Sequence, residues 1–364
     1  MTEILAHPRV LIFGAGAVGS LLGGVLSSGG YDVTLLGRGP EIEAIQQRGL
    51  SVTLHNRRSQ TYPTAVSSID EIREAFDIVL LTVRAYAVKD ALASLPSLLK
   101  DEGVLVSLQN GIGVEEQIQQ TLPAVRLVAG SLTLSADAAE PGLASSSSRT
   151  GGVSFAPVSS GAPAADITEM FRRCGIPAST LDDYRSMKWT KLLLNQMANG
   201  IPAILDWTPG QLYRNPDAFN VEHALLRETL VVISADDARL VSLPGFPAPL
   251  LGWVLALPPS IARRLLLRRV EGGRGEKLPS LLLDLQAGRT KLESEWLYGA
   301  VARTGERYGI RTPANRRVNR ILLSIAVNEE LRRAFRNDPG RLSRNVQLAG
   351  RNLSLGSGRQ NGVS

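Results

Sequence analysis

Residues 9–38 read RVLIFGAGAVGSLLGGVLSSGGYDVTLLGR. Val10, Leu11, Ile12 and Phe13 form a short apolar run, the pattern of a strand covered on both faces. Gly14, Gly16 and Gly19 follow in the spacing G-x-G-x-x-G. A helical pattern runs through Leu21, Leu22, Val25 and Leu26 and stops at Gly29-Gly30. A second strand, Val33 to Leu36, ends at Gly37-Arg38.

Each glycine in that order has a physical use. The first turns the chain sharply out of the strand, the second lets backbone approach a pyrophosphate, and the third lets helix and strand pack. Free N–H groups at the helix start face the phosphate charge. The loop Gly14, Ala15, Gly16, Ala17, Val18 and Gly19 is therefore read as a dinucleotide site, against the plainer reading of a tight turn in another α/β domain. NAD sites usually place an acid after the second strand for the ribose 2′-OH. This chain has Arg38 there, and a guanidinium suits a 2′-phosphate, so NADP(H) is the expected cofactor. The competing reading makes Arg38 a solvated loop residue.

At 364 residues the chain has room for two domains. No apolar run reaches the ~18 residues of a spanning helix, and the short lead-in to Val10 leaves no space for a signal peptide. Cys174 is the only cysteine, which excludes an internal disulfide framework and fits a reducing cytoplasm. The net charge of +6 is unevenly spread: from Arg311 onward eleven arginines face three acids, which leaves the remainder near neutral. The basic balance thus belongs to the last helix and tail rather than to a nucleic-acid face, and no stable membrane association is expected. His7, His55 and His223 show no ligand spacing, so neither a metal site nor a Ser-His-Asp arrangement has support.

Further along, Ile42–Gln47, Ile69–Ala75, Val88–Leu99 and Val114–Gln120 read as helices. Leu50–Leu54, Ile78–Val83, Val104–Leu108 and Arg126–Leu134 read as strands, and the alternation predicts a doubly wound sheet. Gly152–Pro157 and Ile176–Thr180 read as late strands around an Ile167–Arg173 helix. From Asp182 the texture turns helical. The expected organisation is a Rossmann-type α/β domain over 1–182, an all-α substrate domain over 183–336 and a flexible basic tail over 337–364, with Ala262–Lys277 as a basic, glycine-rich loop insertion or helix end.

The second informative stretch is Met187–Asn199, MKWTKLLLNQMAN. Lys191, Asn195 and Asn199 fall at i, i+4 and i+8, so one helix would carry an ammonium and two carboxamides in a row. A cleft-lining row and a solvated helix face both fit that spacing.

The glycine-rich start, Gln109-Asn110-Gly111, the K-x-x-x-N-x-x-x-N row and Pro279-Ser280-x-x-x-Asp284 together resemble the ketopantoate reductase (2-dehydropantoate 2-reductase) family, over roughly Arg9 to Leu331. The resemblance implies NADPH-dependent reduction of a small 2-keto acid, ketopantoate to pantoate, as in pantothenate biosynthesis. It makes Lys191 the general acid. A partly desolvated lysine can release a proton near neutral pH and stabilise alkoxide charge. It implies substrate contacts at Asn195, Asn199 and Ser280, where Ser280 could instead be a helix cap after Pro279. It puts Asn110 between cofactor and substrate, and Ala136 against the cofactor. Asn110 is otherwise a turn residue before Gly111.

Downstream the family pattern G-R-x-T-E-I-D-x-L-N-G meets Gly288 to Gly299, which is one residue longer. Anchoring on Trp296–Gly299 assigns the functional carboxylate near the nicotinamide ribose to Glu293, with Glu295 as the fallback. Two departures bear on the substrate: Arg84 replaces a common lysine, and Thr208-Pro209 replaces a substrate-binding asparagine. A reductase of another small 2-keto or 3-hydroxy acid, or a non-catalytic NADP(H) sensor, are the rival readings. Nothing in the residues fixes oligomeric state; a homodimer is compatible with them.

Overall fold

Val10, Leu11 and Ile12 are each 0% exposed and form the middle of a sheet, which is why that run carries no polar face. The computed structural model describes residues 7–148, 150–271 and 278–355. Two units divide the chain: the first runs to Lys188 and takes back Val241–Pro247, and the second holds Trp189–Leu240 and continues from Ala248. The division falls inside one helix, Tyr184–Gln196, rather than at Asp182.

In chain order the strands are β1 (Arg9–Phe13), β2 (Asp32–Leu36), β3 (Leu50–Leu54), β4 (Arg57–Thr61), β5 (Thr64–Val66) and β6 (Phe76–Leu81). Then come β7 (Leu99–Ser107), β8 (Arg126–Leu132), β9 (Asp137–Glu140), β10 (Leu143–Ser145), β11 (Val153–Pro157) and β12 (Ala178–Thr180). An eight-stranded sheet has the order β12-β11-β8-β7-β6-β1-β2-β5. Its pairs from β5 to β8 are parallel, and only β11 runs antiparallel to its neighbour β8. The order reverses beside β1, so the doubly wound sheet is present with its crevice next to β1.

β3 departs from the expected alternation. It joins β4, β9 and β10 in a separate sheet of order β4-β3-β10-β9. The reason lies in the Ala17–Ser28 helix, whose residues from Gly19 to Leu26 are all buried. One side meets Ile12 and Leu35 of the large sheet, while Gly24 faces Val52 of β3, where a Cβ would come within 2.1 Å of the Val52 methyl. A helix apolar all round needs a second cover. The edge strands β4 and β9 are polar and largely exposed, so they carry no alternation to read.

Two expected helices are shorter. Ile69–Ala75 is a single 3₁₀ turn, Ile69–Glu71, closed by a capping box in which Ser68 N donates to Glu71 Oε1 at 2.8 Å. It buries nothing, so nothing extends it. Val88–Leu99 breaks into Val88–Leu92 and Leu95–Leu98, with Pro96 in the second piece, and Leu99 already begins β7.

The second unit is helical and centres on Pro216–Ala235, which starts with Asn215 capping Ala218 N at 2.9 Å and Pro216 in its first turn. Its buried Thr229 joins a polar chain: Thr229 Oγ1 donates to Gln196 Oε1 at 2.7 Å, and Gln196 Nε2 donates to Asn315 Oδ1 at 2.8 Å. The expected loose tail is a correction. Pro339–Leu355 is a helix packed on Pro216–Ala235 and Pro313–Val327, with Leu342 at 0% and Val346 at 8% exposure. Asp338 accepts from Arg341 N at 2.7 Å, and Pro339 follows it, the ordinary start signal of a helix. The Ala262–Lys277 stretch is helical through Glu271, in Pro259–Glu271; 272–277 and 356–364 lie outside the described residues. No described helix is long and apolar enough to cross a membrane.

Leu342→Ala should lower the stability of the protein in urea by about 2–5 kcal/mol, the usual result of emptying a packed leucine site. A change below about 0.5 kcal/mol would mean that the terminal helix carries no weight.

Candidate active site

The first unit presents its site at the carboxyl edge of the large sheet. Gly14 leaves β1 with φ +121°, and a Cβ there would lie 2.8 Å from Val83 N. A Cβ on Gly19 would lie 2.0 Å from the Gly14 carbonyl oxygen, so both positions require glycine. Gly14 and Ala15 donate their amides to Leu36 O at 2.9 and 3.0 Å, and Gly16 donates to Gly14 O at 2.8 Å. That leaves the amides of Ala17, Val18 and Gly19 at the helix start. The helix has no side-chain cap and no acid in its first turn, and the space beside Gly16 is open. Open amides with the positive end of a helix dipole form a cradle that fits a dinucleotide diphosphate.

The strand order sets the other sequence-predicted residues of this unit side by side. Arg38 follows β2, Gly14 follows β1, Arg84 follows β6, Asn110 follows β7 and Ala136 follows β8, and those strands are consecutive neighbours. Arg38 is exposed and makes no hydrogen bond or ion pair among the described residues. Arg84 is half-buried at the start of a 3₁₀ turn, and Asn110 is half-buried before Gly111, which has φ +93°.

A group the sequence reading missed supports this edge. Lys188 is 1% exposed, and its Nζ meets Glu115 Oε1 at 2.7 Å and donates to the Gln109 carbonyl at 2.9 Å. Ser107 Oγ donates to the same Glu115 oxygen at 2.6 Å. A buried lysine needs such a set of acceptors. The Gln109 side chain donates to Leu81 O at 2.7 Å and Val83 O at 3.0 Å, so the loop before Asn110 is held from two directions.

In the second unit Lys191 and Asn195 lie one turn apart on the Tyr184–Gln196 helix, both half-buried. Asn199 is not on that helix, which corrects the expected three-residue row. The helix ends at Gln196, Ala198 takes φ +50°, and Asn199 sits at the start of the Gly200–Leu205 helix. The turn folds Asn199 back: its Nδ2 donates to Asn195 O at 2.9 Å and to Ser280 Oγ at 3.4 Å, and its Oδ1 accepts from Leu281 N at 3.1 Å. Asn195, Asn199 and Ser280 are therefore brought together. Asn199, rather than Ser280, caps the Ser280–Gln286 helix, and Ser280 is exposed.

Between Gly288 and Gly299 lies a π-helical turn, Glu295–Gly299, ahead of the Ala300–Arg307 helix. A widened turn absorbs one residue without shifting the helix beyond it. Glu295 is engaged by Arg303 Nη1 at 2.9 Å and Asn319 Nδ2 at 2.8 Å, while Glu293 is buried beside Ser294, one residue before that turn.

A Rossmann-type α/β unit with a glycine-loop edge, followed by a helical unit carrying a lysine and two asparagines, defines a class of two-unit oxidoreductases. The chain belongs to the PanE/ApbA ketopantoate reductase family: residues 10–159 match the ketopantoate reductase PanE/ApbA model and residues 183–326 match the PanE/ApbA C-terminal model. The 2-dehydropantoate 2-reductase of Pyrococcus horikoshii is 30% identical over 311 residues, covering 84% of this chain and 94% of that protein. A solved PanE/ApbA family ketopantoate reductase from Ralstonia eutropha JMP134 superposes with a TM-score of 0.74 at 26% identity, covering 89% of this chain and 99% of that one. D-mandelate dehydrogenase in ternary complex with NADH and anilino(oxo)acetate shares the fold, with a TM-score of 0.75 at 22% identity and coverage of 89% and 99%.

Lys188→Met strands the Glu115 carboxylate in the interior and should destabilise the protein by roughly 3–5 kcal/mol in urea unfolding. Adding Glu115→Leu should recover part of that loss, because the orphaned charge is then gone. A double variant weaker than the single one would show that the pair does not act as a pair.

Proposed function

We propose that this protein is an NADPH-dependent 2-dehydropantoate 2-reductase, reducing the ketone of 2-dehydropantoate to the hydroxyl of pantoate in the cytoplasm as a step of pantothenate synthesis. The observation that carries the reading is the meeting of Asn199 with Ser280, 81 positions apart, joined to Asn195 on the helix that bears Lys191. Family membership and the name of the Pyrococcus relative support it.

The uncapped amides of Ala17, Val18 and Gly19 would hold the cofactor diphosphate, and the exposed Arg38 guanidinium would take a ribose 2′-phosphate. When bound, a reduced nicotinamide supplies a hydride to the keto carbon. Lys191 then does the acid work. Its Nζ gives a proton to the ketone oxygen and, as an ammonium, lowers the energy of the alkoxide charge that develops there. Asn195, Asn199 and Ser280 hold the carboxylate and hydroxyl groups of the substrate. Asn110 would contact substrate and cofactor, Arg84 and Ala136 would contact the cofactor, and Glu293 would order the nicotinamide ribose.

A second reading, another small 2-keto acid on the same machinery, has one observation in its favour. Thr208 stands near a family substrate position, but its hydroxyl accepts from Gln211 N at 3.4 Å in a capping box and is committed to the Pro209–Arg214 helix.

Following NADPH oxidation by its nicotinamide absorbance, with ketopantoate and a small panel of keto acids, separates these readings; no oxidation with any of them would leave a sensor. Lys191→Ala should lower kcat by roughly 10²–10⁴-fold with little change in NADPH affinity. Lys191→Arg should not rescue it, since a guanidinium keeps its proton. Near-normal turnover in a folded Lys191→Ala protein would assign the proton to another donor. Arg38→Ala should raise KM for NADPH well above any rise for NADH, and equal rises would remove Arg38 from the phosphate site.

A further inference from the structure

The turn that delivers Asn199 is unfavourable as it stands. Ala198 has φ +50°, the left-handed region that a residue with a Cβ avoids. Something outside the turn has to hold it. Two buried side chains do. Ala198 N–H donates to Glu222 Oε1, from the Pro216–Ala235 helix. Gly200 N–H donates to Tyr298 Oη at 2.8 Å, and that hydroxyl donates to Gln196 O at 3.3 Å. Tyr298 thus brackets the turn from both sides, while Glu222 grips its centre.

Glu222 is 0% exposed, and its second oxygen, Oε2, has no hydrogen-bond partner among the described residues. The titratable groups facing it are the phenols of Tyr213 and Tyr298, both fully buried. Its helix neighbour His223 directs its ring nitrogen to Leu255 O at 3.1 Å. Burial pushes the Glu222 carboxyl up to about 8, with the Ala198 amide opposing. A carboxyl with no buried cation beside it holds its proton at neutral pH and still accepts from an amide through Oε1.

We propose that Glu222 is a positioning residue, which fixes the left-handed turn at Ala198 and thereby aims the Asn199 carboxamide at Ser280. This rests on the reading of Asn199 and Ser280 as substrate contacts. A residue in this place bears on keto-acid binding rather than on the cofactor or on the proton of Lys191.

Removing the acceptor releases the turn, so Glu222→Met should raise KM for ketopantoate by about tenfold, as for a buried amide left without its partner, with kcat and KM for NADPH changing much less. Glu222→Gln keeps an acceptor and never ionises. Its KM for the keto acid should therefore stay near the parent value. The sign of the stability effect is fixed as well. The folded carboxyl holds its proton to higher pH than the unfolded one, so the parent loses stability as pH rises from about 4.3, the ordinary glutamate value, to about 8. The melting temperature of Glu222→Gln should therefore exceed that of the parent by a margin that grows across this window.

A positioning role also predicts rescue. Glycine adopts the left-handed region freely, so adding Ala198→Gly to Glu222→Met should bring KM back toward the parent value. Asn199→Ala is the control: an unchanged keto-acid KM there overturns the reading of Asn199 and the proposal with it. A raised KM in Asn199→Ala, with Glu222→Met keeping the parent KM for the keto acid, overturns the role of Glu222 alone. If Glu222→Met fails to fold, Glu222→Asp, which withdraws the acceptor from the Ala198 amide by one methylene, decides in its place by the same KM reading.

Discussion

Lys188 carries a charge into a site that is 1% exposed, and the loop before Asn110 is arranged by how that charge is met. Its acceptors, Glu115 and the Gln109 carbonyl, belong to the helix and loop that follow β7. The ammonium therefore ties the beginning of the Tyr184–Gln196 helix to the loop that ends in Asn110. The same helix continues to Lys191 and Asn195. The two lysines are three residues apart and serve opposite needs. Lys188 is neutralised by a carboxylate at 2.7 Å. Lys191, one turn on, is half-buried.

The parts of the site that depend on local chain chemistry were legible in the sequence. Gly14 and Gly19 announce themselves because no other residue fits beside Val83 or the Gly14 carbonyl. Lys191 and Asn195 follow helical spacing and stay on one helix. Asn199 obeys the same arithmetic and breaks it, because the arithmetic knows nothing of Glu222 and Tyr298 pulling the chain into a turn. The alignment of Arg38, Arg84, Asn110 and Ala136 was legible residue by residue but not as an edge, since it depends on strand order. In the fold, the small sheet was hidden because its outer strands are polar, and because the apolarity of the Ala17–Ser28 helix reads equally well as one buried face. The helix after Asp338 was hidden by a basic composition that conceals two buried residues, Leu342 and Val346, spaced by one turn.

The Glu295–Gly299 turn is wider than an α-helical one, and Arg303 and Asn319 hold Glu295 at its start. Glu293 consequently precedes the irregular turn, and the regular helix from Ala300 onward keeps its register with the buried face of Val301 and Ala302.

The return of Val241–Pro247 to the first unit has a consequence for how such proteins can be recombined. Pro244 offers its carbonyl to the Thr133 hydroxyl at 2.8 Å, and the backbone at Gly151 and Gly152 is bare where Gly245 and Pro244 lie against it. The nucleotide-binding half is therefore written in two separate pieces of the gene. One crossover after Lys188 would join that half to a foreign strap, at 241–247, chosen for another surface. Residues 241–247 therefore belong with the first unit although 52 residues of the second unit, Trp189–Leu240, precede them in the chain.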